Sequence, residues 1–318
     1  MRIIFVSHNI FGINCLDEII HRKGNVIAIF TVDDSSSMKI SDYTSFERIA
    51  EENNILLYKI KKLSESDLLQ IRNLKPDIIF VIGWSQLIPN ELLNVPDKGC
   101  IGMHPTLLPR GRGRAPINWA LIKGMEKTGL TMFYLSEGAD TGDIIGQEEI
   151  QIALEDDAAS LYEKVIVSGR HLISEFLPKL ENEKAPRIKQ DGKLATVWPK
   201  RNPDDGLIDW NKSPMEIYNW IRGLTHPYPG AFTFFRNKKV FILSSKYINK
   251  KVCAEPGTII KISEDGLVVS AWEKGLLLTK IQPENKEIMS AMEFAEMYNI
   301  KVGDRFQNRF RILLEGQE

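Results

Sequence analysis

The first half of the chain alternates short β-branched runs with helical spacings, and no other feature constrains the fold as tightly. Ile3–Val6, Val26–Thr31, Ile55–Tyr58 and Asp77–Ile82 read as strands, with helices expected near Asn14–Arg22, Ser45–Glu52 and Ser64–Leu74. Parallel neighbours can be joined only by a crossover, so such a series implies an α/β domain with a mostly parallel sheet and helices on both faces. Gly99–Met103, Leu130–Leu135 and Ile144–Ile150 extend the strand series, and Ala158–Leu177 is the expected closing helix. Pro178–Pro199 is richer in Lys, Glu and Pro and has no strong periodicity, which marks a linker. From Arg201 onward the pattern changes to one helix at Pro214–Arg222 and short runs at Gly230–Phe235, Lys239–Leu243, Gly257–Ile262, Gly266–Ala271 and Gly275–Ile281. Short strands separated by turn signals predict a smaller β-barrel. The expected division is a first domain over 1–180, a linker over 181–205 and a second domain over 206–318. Met289, Met292, Phe294 and Met297, at helical spacings, read as core packing.

A length of 318 residues suits two cores, since single cores stop growing near about 250–300 residues. The apolar run Ile3–Val6 is too short for a signal-peptide core or a membrane span, so the chain reads as cytosolic. Cys15, Cys100 and Cys253 are widely spaced and odd in number, which argues for reduced thiols and against a disulfide framework. Neither the cysteines nor the histidines have metal-ligand spacing, and no metal is expected. A net charge of −1 without a long basic tract announces neither nucleic acid nor a membrane surface. Small-molecule chemistry is the expectation.

The stretch Cys100–Gln147 frames one histidine and one aspartate between strand patterns. His104 follows a strand, and Pro105, Pro109, Gly111 and Gly113 keep the next segment from being strand or helix. A long irregular loop beside the histidine results, ahead of a helix starting near Ala115-Pro116. Arg110, Arg112 and Arg114 stand in that loop and make a candidate carboxylate or phosphate site, or a merely solvated turn. Asp140 sits in the glycine-flanked turn Gly138–Gly142. Taken singly, His104 reads as a satisfied core histidine and Asp140 as a turn former. Taken together, on adjacent parallel strands, they would meet at one sheet edge and form a proton relay.

Met103-His104-Pro105-Thr106-Leu107-Leu108-Pro109, followed by Arg112-Gly113-Arg114-Ala115-Pro116 and Ala139-Asp140-Thr141-Gly142, resembles the folate-dependent formyltransferases. Arg201–Trp210 and His226–Phe232 extend the resemblance to essentially the whole chain. It implies a Rossmann-like catalytic domain, an OB-like C-terminal domain, and formyl transfer from 10-formyltetrahydrofolate to a primary amine without a metal. By resemblance, His104 would steady the oxyanion, and Asp140 would orient His104, help accept the proton and border the cofactor. The backbone of Gln86, Leu87 and Ile88 would read the pterin. One departure stands out: the family normally has an asparagine two residues before the histidine, where this chain has Gly102. Loss of one such donor costs about 3–4 kcal/mol of transition-state stabilisation. Three accounts are open: Asn9 or Asn118 supplies the amide, a water or backbone N–H fills the gap, or transfer is weakened or altered.

Two acceptor classes compete, and charge is the discriminator. From Arg201 to the end there are 17 Lys/Arg and 15 Asp/Glu, a difference of +2, where a tRNA binder is expected to be basic. The resulting expectation is a UDP- or dTDP-linked amino sugar of surface-glycan biosynthesis, its diphosphate held by Arg112 and Arg114, with tRNA not expected as a partner. Methionyl-tRNA formyltransferase is the alternative, and a non-catalytic folate- or nucleotide-binding module is a third reading. Family analogy alone implies a homodimer, and no membrane partner is expected.

Overall fold

The computed structural model describes residues 1–37, 40 and 42–307. The chain forms two compact units, one of 1–116, 127–151 and 162–200, the other of 117–126, 152–161 and the chain from Arg201 onward.

The first unit opens with β1 (Arg2–Val6), α1 (Ile10–His21), β2 (Asn25–Val32), α2 (Asp34–Ser37), α3 (Glu47–Glu52), β3 (Leu56–Ile60), α4 (Glu65–Asn73), β4 (Ile78–Val81), α5 (Asn90–Leu93) and β5 (Cys100–His104). Then follow β6 (Arg112–Gly113), β7 (Lys127–Tyr134), β8 (Ile144–Gln151), α7 (Ala158–Glu181) and β9 (Val197–Trp198), while α6 (Pro116–Ile122), between β6 and β7, belongs to the second unit from Ile117 onward. The main sheet has the order β3-β2-β1-β4-β5-β7-β8. Its central strands are covered on both faces, which is why they read as continuous apolar runs: Ile3, Ile4, Phe5, Ile78, Ile79 and Phe80 have no exposed surface. Each such side chain contributes roughly 1.5–3 kcal/mol by leaving water. Helix starts are fixed by side chains, with Asn9 Oδ1 accepting from Gly12 N and Ser64 and Asp67 forming a capping box.

Strands β1 to β5 are mutually parallel, but β5, β7 and β8 are antiparallel. The expectation that His104 and Asp140 stand on adjacent parallel strands is therefore corrected. Apolar strands buried on both faces look alike whichever way they run. The order reverses between β1 and β4, so the loops leaving their carboxyl ends diverge and open a crevice, the usual ligand position in open α/β sheets. Val6 pairs with Val81 and Val81 with Gly102. Carried two residues further, that register puts His8, Gly83 and His104 at one level of the sheet edge.

The second unit contains α8 (Pro214–Leu224), β10 (Ala231–Phe235), β11 (Lys238–Lys251), β12 (Ile259–Ser263), β13 (Gly266–Ala271), β14 (Lys274–Pro283), β15 (Met289–Ser290) and α9 (Ala291–Met297). The antiparallel order is β10-β11-β14-β13-β12, and the segment 303–307 bonds to Ile259 and Gly257 on one side and to Phe234 on the other, closing a barrel. Its core packs Trp210, Phe235, Phe294 and Phe306, with Trp210 Nε1 donating to Thr233 Oγ1 at 3.0 Å. In α9, Phe294 is the buried anchor, whereas Met297 is 59 % exposed and is not core as its spacing implied. Among the described residues no helix is long and apolar enough to cross a membrane.

Candidate active site

His104 is the last residue of β5 and is buried. Its Nε2 lies 2.8 Å from the Gly111 carbonyl and its Nδ1 3.7 Å from Asp140 Oδ2. A carbonyl can only accept, so Nε2 carries a proton. A second proton on Nδ1 would find the carboxylate facing it, so an imidazolium formed in a reaction has an acceptor at each end.

Asp140 reaches His104 from the turn between β7 and β8. Its φ is +55°, in the left-handed region that costs a non-glycine residue about 1–2 kcal/mol. The turn is held by its neighbours. Gly113 N donates to Asp140 Oδ2 at 2.8 Å, and Gln190 Nε2 donates to the carbonyls of Asp140 (2.9 Å) and Gly142 (2.7 Å). Gln190 Oε1 in turn accepts from Arg112 Nε and Nη2 at 3.2 and 2.7 Å.

The irregular loop after His104 is pinned to the segment before β9. Arg112 N donates to Thr196 O, Arg114 N to Trp198 O, and Gly111 N to Thr196 Oγ1, while β6 and β9 pair in parallel. Gly113, at φ +105°, lets the backbones approach so closely that a Cβ there would lie 2.4 Å from Trp198 O. Arg112 is thus engaged with Gln190, and Arg114 Nη1 donates to Ser85 O at 3.1 Å across to the loop after β4. Two of the three guanidinium groups of the candidate anion site, those of Arg112 and Arg114, thus brace the loop.

The other residues singled out by sequence divide. Gln86 Nε2 donates to Lys61 O at 3.0 Å, its Oε1 is buried without a partner, Leu87 is 86 % exposed, and Ile88 packs on the apolar cluster beneath β4. Both asparagines expected to supply the missing amide hold other partners in this structure. Asn9 Oδ1 caps α1 while its Nδ2 donates to Asp42 at 2.9 Å. Asn118 belongs to the second unit, where its Nδ2 donates to Gly223 O at 2.7 Å. Leu135 instead fills the space beside Gly102, its Cδ2 only 2.6 Å from where a Cβ would stand.

Sequence reading missed His8. His8 is buried at the carboxyl end of β1, Ser85 N donates to its Nε2 at 3.2 Å, and Trp84 packs on its ring at 5.3 Å. Burial pushes its pKa below the ordinary histidine value, outweighing the attraction of Asp42. A histidine just past the first strand of an α/β sheet was the available signal. Among the described residues no group of three or more His, Cys, Asp or Glu is arranged to hold a metal.

Comparison with known proteins decides the family. The formyl transferase model matches residues 1–177, and the formyl transferase C-terminal domain model matches 200–299. The chain belongs to the formyl transferase family. Members are folate-dependent N-formyltransferases, and the Rossmann-like sheet followed by a separate antiparallel domain is the fold the family implies. This formyltransferase is 35 % identical over 306 residues to a methionyl-tRNA formyltransferase of Clostridioides difficile strain 630, covering 95 % of this chain and 99 % of that one. It is also 35 % identical over 308 residues to one of Geobacter metallireducens, covering 96 % and 98 %. Among solved structures, WlaRD, a sugar 3N-formyl transferase crystallised with dTDP and 5-N-formyl-THF, superposes with a TM-score of 0.66 over 90 % of this chain and 99 % of its own at 18 % identity. That likeness speaks to fold alone.

The expectation of a nucleotide-linked amino sugar as acceptor, with tRNA not expected, is overturned in favour of the methionyl-tRNA alternative by these relatives, which resemble the chain at about twice that identity across nearly its whole length. The charge argument failed because a domain-wide sum averages over all faces, whereas phosphate contacts need only one.

Proposed function

We propose that the protein transfers the formyl group of 10-formyltetrahydrofolate to the amino group of methionyl-tRNA. The observation that carries this reading is the 35 % identity to methionyl-tRNA formyltransferases over 95 % of the chain. The donor lies in the crevice at the carboxyl edge of the first sheet, against the backbone of Gln86, Leu87 and Ile88, and its formyl carbon faces His104. The amine nitrogen attacks that carbon, a C–N bond forms, and negative charge gathers on the formyl oxygen. The oxyanion is a stronger acceptor than the Gly111 carbonyl and competes with it for the His104 N–H. The ammonium proton passes through the His104–Asp140 pair to N10 of the folate as the bond from N10 to the formyl carbon breaks, releasing tetrahydrofolate. Arg114 contributes positive charge beside the acceptor path.

The test incubates the purified chain with labelled 10-formyltetrahydrofolate and methionyl-tRNA, with free methionine and nucleotide-linked amino sugars in parallel. Formylmethionyl-tRNA is the expected product, formed at a kcat/KM that falls steeply with added salt. Transfer to an amino sugar with none to tRNA would overturn the reading.

A further inference from the structure

Gln190 lies in the polar segment between α7 and β9, outside every motif that suggested the site. Its amide meets four partner atoms. Two donors go to the carbonyls of Asp140 and Gly142, and the acceptor receives two bonds from Arg112. Only one orientation of the amide satisfies this set, because the carbonyls cannot donate and the guanidinium cannot accept.

The connectivity matters more than the count. Arg112 and Gly113 form β6, Gly113 N holds the Asp140 carboxylate, and Gly111 O holds His104 Nε2. Gln190 therefore ties the turn carrying the carboxylate to the loop carrying the imidazole's acceptor. It also opposes relaxation of Asp140 from its left-handed conformation at φ +55°. Its two bonds fall on the carbonyls of that residue and of Gly142, whose backbone lies so close to Tyr134 O that no Cβ would fit.

We infer that Gln190 is a positioning residue for formyl transfer, locking the Asp140 turn to the Arg112 loop so that carboxylate and imidazole keep their alignment. The inference rests on the reading of His104 and Asp140 as the reacting pair. Glutamine is the required type: glutamate would keep an acceptor for Arg112 but turn a carboxylate oxygen on two carbonyls, and methionine would keep volume while losing every bond. A misplacement of about 1 Å in a reacting group costs on the order of a hundredfold in rate.

The test compares Gln190→Met and Gln190→Glu with the parent and with His104→Ala, measuring kcat, KM for both substrates, and Tm. Both Gln190 variants are expected to lose about 10- to 100-fold in kcat, with KM within about threefold and folding cooperative at the assay temperature. Parent-like kcat in Gln190→Met would overturn the inference. So would parent-like kcat in Gln190→Glu, which would leave Gln190 only as an anchor for Arg112, or a loss that merely tracks the unfolded fraction. Gln190→Asn, whose amide is one methylene too short to span both loops, carries the same test if the methionine variant does not fold. Retained turnover in His104→Ala would remove the reacting pair and the inference with it, whereas loss in His104→Ala with none at Gln190 would remove the inference alone.

Discussion

Replacing Asp140 by asparagine tests the charge of the pair with little change of shape. The new carboxamide oxygen can still accept from Gly113 N, but the negative charge 3.7 Å from His104 Nδ1 is gone. Two unit charges at that distance attract by about 4.5 kcal/mol at an effective dielectric of about 20, and by about 1 kcal/mol in bulk water. The side chains are 9 % and 19 % exposed, which places the pair nearer the first limit before the cost of desolvating the carboxylate is subtracted. A remainder of about 2–3 kcal/mol corresponds to a loss of about 30- to 150-fold in a step that forms the imidazolium. The assay is steady-state formation of formylmethionyl-tRNA at saturating folate, with kcat and KM separated and Tm recorded for parent and variant. The loss should fall on kcat, since the attraction matters only once the ring is charged. A variant with unchanged Tm that keeps kcat within about threefold of the parent would refute the electrostatic argument, because even the solvent-screened limit predicts about a sixfold loss.

Other expectations follow from the same geometry. His104→Ala should lower kcat by at least about a hundredfold, and near-parent turnover would take the imidazole out of the mechanism. Gly113→Ala meets both a φ of +105° and Trp198 O at 2.4 Å, so it should cost about 1–3 kcal/mol in chemical denaturation and lower kcat as β6 and β9 separate. Parent-like stability would show that the close approach is not required. Gly102→Asn combined with Leu135→Ala should raise kcat at least about tenfold by adding a donor in the space Leu135 occupies, and no gain would mean that the oxyanion already has its full set. His8, with its folded pKa below the ordinary value of 6.5, binds fewer protons folded than unfolded, so its contribution opposes folding as pH falls below that value and vanishes above it. Denaturation midpoints across that range should therefore be less pH-dependent in His8→Gln, and an unchanged slope would remove the assignment.

How much of this was legible depended on whether a residue type carries its role in a pattern. β1, β2, β4 and β5 were readable because buried parallel strands are continuous apolar runs, and the direction of β7 was not, since burial erases the cue. His104 and Asp140 stood out through the glycines and prolines that force loops beside them. Asn9 and Asn118 drew attention as amides near those loops, yet one is used to cap α1 and the other bonds to Gly223, 105 residues away. Gln190 had no pattern at all, because its role lies in partners 48 to 78 positions distant. Leu135 beside Gly102 was likewise invisible, since a glycine does not announce which neighbour fills its space.

Single-turnover transfer of a labelled formyl group from 10-formyltetrahydrofolate to methionyl-tRNA, with enzyme in excess, isolates the chemical step from product release. The parent should deliver label to the methionyl amine rapidly, and Asp140→Asn and His104→Ala should each slow that transfer by more than about tenfold while binding both substrates as the parent does. Label reaching the tRNA at one common rate in all three proteins would contradict the account.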